Sequence, residues 1–147
     1  MPNKTDASIH NICIAAIRRH TIPEAIPEFQ FTSFYPTPAH FADEFSNKLN
    51  ITLHNEELCI CATIVDAQNW SVLTTQRMIT CIDGKQQEGN MWEAKWSDQG
   101  KLKDFRKPIN QGKITFKDGS EMPFIYENGK ASMVMIYGVK TLMQVLR

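Results

Sequence analysis

The chain lacks the short signatures that assign a chemistry directly. Its 147 residues contain no G-x-S-x-G, H-E-x-x-H, G-x-x-x-x-G-K-[ST] or G-x-G-x-x-G motif, and so none of the nucleophile elbows, zinc pairs, phosphate loops or dinucleotide turns that those spacings build. Nor does any apolar run approach the roughly 18 to 20 residues needed to cross a bilayer. The N-terminus MPNKTDASIHNICIAAIRRH has no basic segment leading into a long apolar one, so the sequence reads as soluble and cytoplasmic. Charge of one sign is also missing overall, with 16 basic against 16 acidic residues. Cysteine is sparse: Cys13, Cys59, Cys61 and Cys81 lie inside periodic apolar segments, as reduced, buried thiols do, and a disulfide framework is not expected.

What is present fits one ordinary globular domain. Apolar residues make up 42% of the chain and charged residues 22%, which excludes disordered and fibrous classes. A chain of this length buries roughly 68 to 70% of its unfolded surface, enough for a core of its own. Charge is unevenly placed, however. Up to Asp66 there are 4 basic and 8 acidic residues, and beyond it 12 basic and 8 acidic, a split of −4 and +4. Lys95, Lys101, Lys103, Arg106, Lys107, Lys113 and Lys117 stand against Asp98 and Asp104. That basic region either meets an anionic ligand or is a solvated face of hairpins whose lysines discourage edge pairing.

Ile9, Ile12, Cys13, Ala16 and Ile17 recur at spacings of three and four, predicting an amphipathic helix over about residues 6 to 20 that ends in Arg18, Arg19 and His20 against the negative end of its dipole. Pro23 and Pro27 imply an extended connector, and Phe29, Phe31 and Phe34 an extended segment across the core. A second helix is signalled by Pro36-Thr37-Pro38, with Thr37 as cap, Pro38 in the first turn and Phe41, Phe45 and Leu49 following at i, i+4 and i+8.

After Leu53 the period becomes strand-like. ELCICATIVD is apolar on both faces, with Leu58, Ile60, Ala62 and Ile64 on one and Cys59, Cys61 and Val65 on the other, as in a strand covered on both sides. Asp66-Ala67-Gln68-Asn69 turns the chain into WSVLTTQRMITCID, two β-prone runs joined through Thr74-Thr75-Gln76-Arg77 with neither glycine nor proline. A polar loop is expected from Gly84 to Gly89, then a half-buried strand MWEAKW with Trp92, Ala94 and Trp96 on one face. Ser97-Asp98-Gln99-Gly100 turns again, KLKDF suggests a short strand, and Asp118-Gly119 marks a tight hairpin. Pro123 confines its second strand to an edge or bulge. Asn128-Gly129 leads either into another hairpin or into a terminal helix; the stripe Ile136, Val139, Met143, Leu146 favours the helix, with Gly138 implying close packing.

Two helices, about seven antiparallel strands and a closing helix place the chain in the α+β class. From about residue 55 to 147 the strand order, together with Trp70, Val72, Leu73, Thr74, Arg77, Met78 and Ile79 around a T-x-x-R turn, resembles the pleckstrin-homology-like domains of the bacterial and GRAM-type branches. The resemblance implies a partly open β sandwich or barrel capped by the C-terminal helix. Residues 1 to 54 would then form an N-terminal helical extension of the same domain. Thr74 is expected to satisfy turn amides, and Arg77 to lay its stem along the sheet while its guanidinium meets carbonyls or a carboxylate. Members that bind inositol phospholipids place basic residues at the first strand pair, whereas that loop here is Asp66-Ala67-Gln68-Asn69.

Three further constellations have two readings each. His40 precedes Asp43 and Glu44 by one helical turn, the spacing of a metal or proton-sharing group, or of an exposed first-turn histidine. Cys59-x-Cys61 with Cys81 could converge three thiolates, but reads as inert core thiols without a bound cofactor. Trp92 and Trp96 with Lys95 could form an aromatic-basic surface, but their spacing favours core tryptophans, and nucleic acid is not expected as a partner. No residue is singled out as catalytic. The sequence therefore points to a non-enzymatic binding module for a protein partner or for self-association rather than for phosphoinositide. The alternatives are a ligand-binding or enzymatic cone of the nuclear-transport-factor-like type, which would end in a strand, and an inhibitor or immunity-type protein defined by its partner surface.

Overall fold

The computed structural model describes residues 4 to 41, 49 to 100 and 108 to 147. Helix α1 covers Asp6–His20, with the Thr5 hydroxyl accepting from Ser8 N at 3.1 Å as N-cap. Ile9, Cys13, Ala16 and Ile17 are buried as expected, but Ile14 and His10 are buried too and Ile12 only half so. The buried stripe is broader because His10 reaches across to the carbonyl of Tyr35, 2.8 Å from its Nε2. The connector is a 3-10 helix, Pro23–Glu28, not an extended link. Pro23 sits at its start, where a missing N–H costs nothing.

Strand β1 (Thr32–Phe34) follows, then β2 (Cys59–Asp66), β3 (Asn69–Thr74), β4 (Arg77–Ile82) and β5 (Lys85–Asn90), an antiparallel sheet ordered as numbered. A 3-10 turn at Met91–Glu93 leads to a second sheet of β6 (Ala94–Asp98), β7 (Ile109–Phe116) and β8 (Glu121–Glu127), again in chain order. The chain closes with α2, Ser132–Val145. The α+β class and the terminal helix are thus as expected. The second helix signalled at Pro36-Thr37-Pro38 begins at residues 39 to 41, and its remainder, residues 42 to 48, lies outside the described residues, as do KLKDF and the basic residues Lys101, Lys103, Arg106 and Lys107. The first 54 residues are not a purely helical extension, because β1 joins the sheet.

Three local expectations change. Residues 85 to 90 are strand β5, not a loop: Asp83 and Gly84 have φ of 53 and 81°, the geometry of a two-residue turn that lets Ile82 pair with Lys85. MWEAKW does not run as one strand, because the Asn90 side chain accepts from Trp92 N at 3.0 Å and winds Met91–Glu93 into a turn. Trp92 is left half-buried and Trp96 54% exposed, so the pair is not a core face. Finally, a bulge in β2 sets Cys59 opposite Thr74 and Cys61 opposite Leu73, so the strict alternation read from ELCICATIVD breaks there.

Both faces of the first sheet are nevertheless covered. On one side Tyr35, Phe41, Trp70, Val72 and Ile79 form a cluster. On the other, Ile60, Cys61, Leu73 and Met78 meet α1, α2 and the second sheet in the main core. Gly138 lies where α2 crosses this core: a Cβ there would stand 3.1 Å from both Cys61 Sγ and Leu73 Cδ2. We predict that Gly138→Leu lowers the unfolding free energy by about 2 kcal/mol or more through overpacking, as read by urea denaturation. An unchanged midpoint would contradict the close crossing.

Candidate functional site

The T-x-x-R turn is built around a buried carboxylate. Glu57, just before β2, is 4% exposed. Its oxygens accept from His54 N at 2.8 Å, Arg77 Nε at 2.8 Å and Arg77 Nη2 at 3.0 Å, and also from the Thr74 hydroxyl. Thr74 Oγ1 in turn accepts from Gln76 N at 3.1 Å and Arg77 N at 3.0 Å, which closes the β3–β4 turn without glycine. Arg77 also donates to Thr52 O at 2.6 Å and pairs with Glu88 on β5. The structural roles expected for Thr74 and Arg77 therefore hold, with Glu57 as the carboxylate the sequence did not identify. Burial opposes ionisation of Glu57, but the hydrogen bonds from Arg77, Thr74 and the His54 amide, with the Arg77 charge, outweigh it and hold the carboxyl below its ordinary value.

A polar hollow of about 380 Å³ opens above this network, lined by Asp6, His54, Gln76, Glu88 and Trp92 among others. Its polar groups already have partners within the chain: Gln76 Nε2 donates to Asp6 Oδ2 at 2.8 Å, and His54 Nδ1 lies 3.2 Å from Gln76 Oε1.

The other sequence candidates do not converge. The β2 bulge sends Cys59 and Cys61 into different clusters; the Cys59 thiol meets the carbonyls of Cys61 and Leu73, and that of Cys61 the carbonyl of Val134. Burial pushes Cys13 up to about 12 and raises Cys59 and Cys61 well above the ordinary thiol range, so all three stay protonated. Among the described residues no group of His, Cys, Asp and Glu could hold a metal ion, and no helix is long and apolar enough to cross a membrane. His40 is exposed, while Asp43 and Glu44 lie outside the described residues. In the basic region, Lys95 lies 4.6 Å from the Trp96 ring and Lys113 pairs with Glu121 at 2.9 Å. The β2–β3 turn is acidic, with Asp66 accepting from Gln68 N at 2.8 Å and from Asn69 Nδ2 at 3.1 Å.

A more apolar opening lies elsewhere. A cleft of about 630 Å³ runs along β1, walled by the end of α1, the Pro23–Glu28 turn and Phe29. Phe29 and Phe34, expected across the core, are only half-buried and line this cleft instead. Ile22 beside it is 53% exposed and Ile26 in its wall 39%. The segment is tethered by Glu127 at the end of β8, whose two carboxylate oxygens accept from Gln30 N and Phe31 N at 2.9 Å each. Among the described residues, Arg18 at the mouth has no ion pair and the buried Thr21 Oγ1 no hydrogen-bond partner. Three prolines and three phenylalanines within residues 23 to 36 were the available signal. Comparison with family models, curated proteins and solved structures gives no match for this chain.

The buried carboxylate makes stability depend on pH and on its partner. Because folded Glu57 titrates below its ordinary value of 4.5, its contribution is complete above that value and lost as pH falls through the folded pKa. Denaturation midpoints should therefore decline at acid pH in the native chain, and decline less in Glu57→Gln. At pH 7, Arg77→Met should cost about 3 to 5 kcal/mol, since it strands a buried charge; urea titration reads this, and a loss within about 0.5 kcal/mol, the usual range at an ordinary surface site, would contradict it.

Proposed function

We propose that the chain is a non-enzymatic binding module of the pleckstrin-homology-like kind whose partner is a protein. The order of a four-strand meander (β2 to β5), a three-strand meander (β6 to β8) and a closing helix supports that fold, as do the structural roles of Thr74 and Arg77. The terminal helix speaks against the cone reading, which would end in a strand. The acidic β2–β3 turn counts against phosphoinositide at the usual place.

The observation that carries the reading is the cleft along β1. It is apolar, falls within the volume of real binding sites, and adjoins exposed Ile22 and Ile26, which a chain with no partner there would gain by replacing with polar residues. Among the described residues neither a carboxylate nor an imidazole lines it, and binding rather than proton transfer suits those walls. An inhibitor or immunity-type role uses the same surface with a tighter partner.

The test is affinity purification of the full chain from its host, alongside an Ile22→Glu/Ile26→Glu variant whose thermal midpoint is checked first. The native chain should retain a stoichiometric protein that the variant loses. Sedimentation of the native chain alone reveals whether that protein is a second copy. Retention unaffected by the two glutamates would contradict the cleft as the binding surface.

A further inference from the structure

The cleft borders the outer edge of β1. Phe31 O accepts from Ile64 N at 2.8 Å and Tyr35 N donates to Ile60 O at 2.9 Å, with Ser33 opposite Ala62 between them. Residues 31, 33 and 35 therefore address β2, and the antiparallel alternation turns the N–H and C=O of Thr32 and Phe34 the other way. No strand lies on that side among the described residues, and both residues line the cleft.

Other edges are managed differently. At the far side of the same sheet β5 presents Lys85, Gln86, Gln87 and Glu88, a charged and polar edge that resists pairing. In the second sheet, the Ile125 amide of β8 donates to Ser71 Oγ at 2.8 Å. At β1 an edge without a neighbouring strand among the described residues coincides with an apolar hollow, which is the combination strand addition uses: main-chain bonds hold an extended segment, and hollows take its alternate side chains.

We infer that this edge binds an extended segment of a partner protein by strand addition, with alternate apolar side chains against Phe29 and Phe34 and a carboxylate meeting Arg18. The inference rests on the protein-binding reading above and specifies its mode. A compact apolar ligand would fill the hollow but leave the Thr32 and Phe34 edge unpaired. A second copy of the chain would bring the same Arg18 to both sides of a self-complementary interface, whereas an acidic segment neutralises it. The shortness of β1, three residues, limits the added strand to a brief motif.

The test selects a random peptide display library on the immobilised full chain and synthesises the best binder. Enriched peptides should alternate apolar residues and carry an Asp or Glu. The bound peptide should slow hydrogen exchange at the Thr32 and Phe34 amides. N-methylation of every second peptide amide should abolish binding while methylation of the intervening ones does not, and Arg18→Gln should weaken binding at least about tenfold, the scale of one charge-assisted hydrogen bond. Peptides that need Ile22 and Ile26 but show neither amide protection nor the two-residue methylation period overturn strand addition and leave the protein-binding reading standing. A library that enriches nothing overturns strand addition too, and the partner-capture experiment then judges the broader reading. Protection of Thr32 and Phe34 by self-association, without peptide, overturns it in favour of a second copy.

Discussion

A carboxylate out of water must be compensated, and the way Glu57 is compensated organises half of the first sheet. Its oxygens draw together the His54 turn, the Thr74 hydroxyl and the Arg77 guanidinium. Arg77 in turn reaches the Thr52 carbonyl and Glu88 on β5. One ion pair thus fixes the entry into β2, the β3–β4 turn and the register of the outer strand. This is why two residues, Thr75 and Gln76, can join β3 to β4 without a glycine: the side chain of Thr74 supplies the acceptor that the turn amides need. Such an arrangement is costly to break, because removing one partner leaves the other as an uncompensated buried charge.

Polar side chains also decide how the two sheets and the N-terminal segment meet. Ser71 and Thr80, 2.8 Å apart and fully buried, sit between the sheets, and Ser71 accepts the Ile125 amide that β8 would otherwise leave unpaired. Glu127, at the other end of β8, takes the amides of Gln30 and Phe31 and sets the chain running into β1. The cleft is thus held by a strand, a helix end and a proline-braced turn rather than by a free loop. A preformed surface of this kind orders little on binding, which lowers the entropic cost of association.

Local signals in the sequence translated well, and long-range ones did not. The stripe of α1, the terminal helix and the close packing at Gly138 are legible from spacing alone. Asp83-Gly84 carried an equally local turn signal that the polar composition of residues 85 to 90 obscured: an edge strand facing water looks like a loop. Trp92 and Trp96 alternate as core residues would, but the Asn90 side chain captures the Trp92 amide and changes the winding. The Cys59 to Cys61 alternation fails for a related reason, since a bulge inserts one residue and turns the rest of the strand over. Arg77 was legible as a residue whose guanidinium meets carbonyls or a carboxylate, whereas Glu57, twenty positions away, became identifiable only once folding placed it. The cleft is of the same kind, because its walls come from segments whose proximity no periodicity encodes.

If Glu57 and Arg77 act as one unit that shapes the sheet, their energies cannot be independent. A double-mutant cycle of Glu57→Gln and Arg77→Met, with unfolding free energies from urea titration at neutral pH, measures this directly. The expected coupling between the two positions is about 2 kcal/mol or more, with the double variant more stable than Arg77→Met alone. Additive losses, with coupling near zero, would contradict it.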